Sequence, residues 1–139
     1  MVGELYGRYT PLKELCKDQK QFLAQHGIEI ERNEVHDAAG INDDYPGGRG
    51  VFFEDHNRFV ILVNFEEHIC IKMLENKLAP NLKQLRKLVK AFDRVGFATD
   101  AYLGYLTTAP QMLGTGLLVS GKVSSGDRSE QEIALISQA

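Results

Sequence analysis

The sequence predicts an α+β domain in which helices flank an antiparallel β-sheet. Three observations lead there. Residues 51–54 and 58–64 are two β-branched and aromatic runs split by Asp55-His56-Asn57, the pattern of a hairpin. Ile69, Ile71 and Met73 alternate with Cys70 and Lys72, the two-residue period of a third strand, reached through a short bend at Glu66-Glu67-His68. Leu82, Leu85, Leu88, Val89, Phe92 and Val95 recur at helical spacing, with Lys83, Lys87 and Lys90 on the other side. Strands that follow one another so closely leave no room for the crossovers a parallel sheet needs.

The remaining elements follow in chain order. Thr10-Pro11 is expected to open a first helix, Thr10 as cap and Pro11 in the first turn, where a missing N–H costs little. Leu12, Leu15, Cys16, Phe22 and Leu23 would form its apolar stripe, and Gly27 would stop it. Residues 29–40 are polar, with room for a short helix, and 42–48 form a loop by composition. Pro80-Asn81 precedes the long helix and Gly96 ends it. Residues 102–107 and 116–123 read as two more strands. Ser124-Ser125-Gly126 reads as a linker, and Ser129 with Glu132 forms a capping box that would open a last short helix. With no internal repeat and no interdomain linker, residues 1–139 are expected to form one domain.

Bulk properties narrow the function classes. A net charge of -3 provides no basic stripe, which argues against nucleic acid as a partner. No run approaches the ~20 apolar residues of a membrane span, and residues 1–9 lack the apolar stretch of a signal peptide. Cys16 and Cys70 are far apart and without CxxC spacing, as expected of two reduced thiols in the cytoplasm. Glu66, Glu67 and His68 are neighbours in one bend, a poor arrangement for converging on a metal ion, so no metal site is expected. His26, His36 and His56 stand in polar or turn contexts and read as solvated. Gly114-Thr115-Gly116 lacks the lysine of a phosphate loop.

Several motifs resemble those of the phosphagen kinases, the ATP:guanidino phosphotransferases that include arginine and creatine kinase. Gly7-Arg8-Tyr9-Thr10-Pro11-Leu12 is similar to G-K-Y-Y-P-L, and Asp44-Tyr45-Pro46-Gly47-Gly48-Arg49-Gly50 to D-W-P-x-x-R-G. Asn64-Phe65-Glu66-Glu67-His68 resembles N-E-E-D-H, Leu103-Gly104-Tyr105-Leu106-Thr107 resembles L-G-F-L-T, and Pro110, Leu113, Gly114 and Thr115 keep the skeleton of C-P-(T/S)-N-L-G-T. The same order and spacing from about residue 7 to 123 implies a partial C-terminal catalytic domain on an antiparallel sheet, with 124–139 as linker and terminal helix.

The resemblance also implies where the site should lie. The family clamps the nucleotide phosphates with arginines. The arginine of E-E-D-H-L-R falls at Cys70 and the one after the C-P-x-N-L-G-T segment falls at Leu118, so neither position offers a phosphate donor. The family's cysteine falls at Ala109, and the first acid of N-E-E-D-H at Phe65. Glu66 takes the place of the carboxylate that orients the guanidinium. Two readings follow. The first is a non-catalytic module, without cofactor, acting as a structural or binding part of a larger assembly. By analogy, that assembly would be cytoskeletal or axonemal, with a protein partner covering an exposed sheet whose open element is 116–123. The alternative is an ATP:guanidino phosphotransferase, or a fragment of one, using Mg-ATP.

Overall fold

The structure, a computed structural model, describes residues 6–30, 32, 34–92 and 94–120. Four strands form one antiparallel sheet in chain order: β1 (Gly7–Pro11), β2 (Gly50–Glu54), β3 (Phe59–Val63) and β4 (Ile69–Met73). The hairpin and the third strand predicted from 51–73 are all present. Tyr9 pairs with Phe52, Phe52 with Ile61, and Ile61 with Ile71, so one line of side chains crosses the whole sheet. The β2–β3 turn is closed by the Asn57 N–H donating to the Glu54 carbonyl at 2.9 Å, with Asn57 in the left-handed region at φ 54°.

The two-residue period divides β3 between two cores. Val60 and Leu62 face one side, where they meet Val51, Leu12, Leu15, Leu23, Ile28 and Ile30. Phe59 and Ile61 face the other, against Leu88 with Phe52, Ile71, Met73 and Phe92 half-buried around them. Burial of such side chains is worth about 1.5–3 kcal/mol each, so the sheet is stabilised from both faces. The first layer comes from the long β1–β2 connection, which holds α1 (Lys17–Gln25) and α2 (Glu34–Ala38). The second comes from α3 (Leu78–Phe92).

Thr10-Pro11 does not open a helix. Both residues pair in β1, Thr10 with Val51 and Pro11 with Gly50. Proline is tolerated there because β1 is an edge strand. A 3-10 turn over Leu12–Glu14 follows, and α1 starts only after Cys16, whose N–H donates to the Gln19 side chain at 3.1 Å. Gly27 does end that helix: at φ 65° it lets Gly27 and Ile28 donate back to Ala24 and Leu23.

The long helix begins at Leu78, earlier than predicted, with Pro80 inside its first turn. Of its apolar stripe only Leu88 is fully buried, while Leu82 is exposed and Val95 lies exposed beyond the helix end. Of residues 102–107 only Gly104 and Tyr105 form a strand, and of 116–123 the described residues 116–120 form none. Tyr102 and Leu103 sit in a turn whose N–H groups both donate to Asp100 Oδ1, at 2.8 and 3.0 Å. Among the described residues, pairing here is limited to β5 (Thr99–Asp100) with β6 (Gly104–Tyr105), extended by a bridge from Tyr105 to Gly114. Gly104 must be glycine at that crossing, since a Cβ there would fall 2.5 Å from the Gly114 carbonyl oxygen. Residues 116–120 have no strand pairing, and Leu117, Leu118 and Val119 are exposed. The rest of that stretch, the 124–126 linker and the helix expected at Ser129 lie outside the described residues. Among the described residues no helix is long and apolar enough to cross a membrane.

Candidate functional site

The site is built on the bend between β3 and β4, residues 64–68, with Glu66 at its middle. Asn64 fixes both ends of the bend. It lies in the left-handed region at φ 57°, and its N–H donates to the His68 carbonyl at 3.0 Å. Its side-chain Oδ1 meets His68 Nδ1 at 3.1 Å, and its Nδ2 donates to the Gly48 carbonyl at 2.9 Å. The bend is thereby tied to the loop ahead of β2.

That loop has its own clamp. Arg49 is only 4% exposed, and its guanidinium donates to Asp44 Oδ1 at 2.6 Å, to the Gly47 carbonyl at 3.2 Å and to the Ile41 carbonyl. It also lies over the Tyr45 ring at 5.6 Å. The hydrogen bond from Arg49 holds the Asp44 carboxyl below its ordinary range. The arginine of the Asp44–Arg49 motif is therefore committed to its own loop. Arg58 is committed likewise, to Glu54.

Glu66 is exposed, open to a cation arriving from solvent. Glu67 is half-buried, and its Oε1 accepts the Ala109 N–H at 3.0 Å across a separation of 42 residues. Ala109 is 2% exposed, and its carbonyl accepts from Thr107 Oγ1 at 2.9 Å and from the Met112 N–H at 3.0 Å. The structure thus brings together the two stretches that carry Glu66 and Ala109. Glu67 had stood out in the sequence only as a poor metal ligand. The acidic pair could have suggested a second role for it, but no local pattern links residue 67 to residue 109.

Cys70 follows on β4, half-buried against the first core beside Leu62. Burial raises its thiol pKa, Lys72 opposes, and the charges of Glu67 and Glu66 raise it further. It is a neutral thiol within electrostatic reach of two acids, not an anion donor. Leu118 is exposed in the unpaired 116–120 segment. Phe65, at the first acidic position, packs half-buried against the first core. A concavity of about 370 Å³ lined by Arg8, Thr10, Glu14, Cys16 and Gln19 includes none of these residues.

Comparison with known proteins gives these positions a setting. The family model described as ATP:guanido phosphotransferase, C-terminal catalytic domain, matches residues 1–124. The chain is 39% identical over 124 residues to an arginine kinase of Liolophura japonica, covering 86% of this chain and 36% of that one. It is 32% identical over 129 residues to the M-type creatine kinase of Homo sapiens, covering 84% of this chain and 33% of that one. Among solved structures, the duplicated taurocyamine kinase from Schistosoma mansoni with bound transition state analog components superposes with a TM-score of 0.70 at 29% identity. That match covers 81% of this chain and 16% of the other. The chain spans 36% and 33% of the length of the two kinases matched by sequence.

Proposed function

The chain belongs to the ATP:guanido phosphotransferase family, through that family's C-terminal catalytic domain, and from this premise we propose that it carries the guanidine side of the transfer site. One observation carries the reading. The Glu67–Ala109 hydrogen bond seats the Glu66 bend against the loop where the family resemblance places a cysteine. A guanidinium is a planar cation with paired N–H donors, and an exposed carboxylate on a fixed bend can accept them as charge-assisted hydrogen bonds. The relatives are named arginine kinase and creatine kinase, which supports a phosphotransferase, or part of one, over a purely structural module.

Phosphoryl transfer is chiefly positioning and neutralisation of phosphate charge. In this reading the chain holds the guanidine, and phosphate-binding groups come from outside positions 70 and 118. Calorimetric titration with L-arginine tests it. Saturable binding is expected, and Glu66→Gln should weaken it by about ten- to a hundredfold, the worth of one charged hydrogen bond. No saturable heat, or an affinity indifferent to Glu66→Gln, would overturn the reading.

A second reading, a non-catalytic module held by a protein partner over the exposed Leu117, Leu118 and Val119, is favoured by one observation. Cys70 and Leu118 stand where the family resemblance has phosphate-binding arginines. In that case millimolar Mg-ATP should leave the melting temperature unchanged. A saturable rise, which ligand linkage would produce on binding to the folded state, would remove it.

A further inference from the structure

We propose that Glu67 is a positioning residue, docking the bend that bears Glu66 onto the 107–112 loop so that one guanidine-binding surface spans both. The inference rests on the guanidine-side reading and assigns that site a residue outside the expected set. Its ground is geometric. The bend is fixed at its base by Asn64, whose backbone and side chain both engage His68 and whose Nδ2 holds Gly48. These contacts set the shape of the bend and its relation to the loop before β2. They do not set its relation to the 107–112 loop, which is built around the Ala109 carbonyl by Thr107 and Met112. Among the described residues, the hydrogen bond from the Ala109 N–H to the Glu67 carboxylate joins the two. Charged acceptors make stronger, shorter hydrogen bonds than neutral ones, and a buried N–H without its partner is costly. The pairing of Glu67 with Ala109 therefore favours one relative placement of the two loops.

Glu67 and Glu66 are adjacent acids with different tasks. Glu67 is half-buried and already bonded, whereas Glu66 is exposed and open to a ligand. Removing Glu67 should thus change where Glu66 stands without removing the charge of Glu66.

The test compares the wild-type chain, Glu67→Ala and Glu67→Gln by residue-resolved amide hydrogen exchange and by L-arginine titration. Glu67→Ala should speed exchange at Ala109 by about ten- to a hundredfold and weaken L-arginine by a similar factor. Exchange at Val60 and Leu62 in the core should stay unchanged. Glu67→Gln, which keeps an acceptor oxygen but no charge, should restore most of both. A loss from general destabilisation would move the β3 amides as well, and a purely electrostatic role would not be rescued by glutamine. Unchanged Ala109 exchange in Glu67→Ala, or faster exchange with undiminished L-arginine affinity, would overturn the inference. A wild-type chain that ignores L-arginine would sink the guanidine-side reading instead, while the exchange data would still decide whether Glu67 docks the loops.

Discussion

Replacing Glu54 by alanine should lower stability by about 3 kcal/mol, as measured by urea unfolding near neutral pH. Glu54 is 3% exposed, and its carboxylate accepts from the N–H groups of His56 and Arg58, both at 3.0 Å. It also meets the side chains of Arg58 at 3.1 and 2.5 Å and of His56 at 3.1 Å. Two of those donors belong to the turn backbone between β2 and β3, and alanine would strip them of their partner. Arg58 and His56 have side chains 43% and 73% exposed, so their polar ends return to water. That rehydration keeps the loss well below the sum of the bonds.

The same group makes a pH prediction. Burial disfavours the charged carboxylate, but the Arg58 side chain, the Arg58 N–H and His56 outweigh it and bring the pKa from 4.5 down to about 2. A folded-state pKa below the unfolded one means the stabilisation is fully present above pH 4.5. It drains away as pH falls toward 2 and is absent below that, a change of at most about 3 kcal/mol. The gap between wild type and Glu54→Ala should therefore close across this window. A gap that is constant between pH 5 and 2 would contradict the assignment.

Arg49→Met should cost a similar amount, about 3 kcal/mol, and should reach the candidate site as well. Methionine can fill the space, but it leaves the Ile41 and Gly47 carbonyls without the donors Arg49 supplies. Asp44 is largely exposed, and its carboxylate would rehydrate. The further effect runs through Gly48, next to Arg49, whose carbonyl holds Asn64 at the base of the Glu66 bend. Urea unfolding should show the stability loss, and weaker L-arginine binding should accompany it. Arg49→Lys should not rescue either, because a single ammonium cannot replace a planar fork that reaches several acceptors at once. Full rescue by lysine would mean that charge alone, rather than the fork, holds the loop.

The parts of the fold that are local in sequence were legible in it. The β-branched and aromatic runs at 51–54 and 58–64 and the alternation at 69–73 specify strands because each signal lies within its own segment. The long helix shows in the same way, although the pattern overstates how much of it is covered. What depends on distant partners was misread. Thr10-Pro11 has the chemistry of a helix start, yet β2 takes it as an edge strand. Leu117-Leu118-Val119 has the composition of a strand and no pairing partner among the described residues. The site divides along the same line. Glu66, Cys70 and Leu118 were visible through motif resemblance, whereas the Arg49 clamp and the Glu67–Ala109 bond join residues that no periodicity connects.

The proposed guanidine-holding surface of this chain is made of the 64–68 bend and the 107–109 loop. Its most direct test follows backbone amide chemical shifts residue by residue while L-arginine, and separately Mg-ATP, is titrated into the 139-residue chain. L-arginine should produce saturable shifts centred on residues 64–68 and 107–109. Those shifts should be lost in Glu66→Gln, and Mg-ATP should produce no saturable shift at either segment. Saturation by Mg-ATP, or L-arginine shifts that leave both segments unmoved, would contradict the claim.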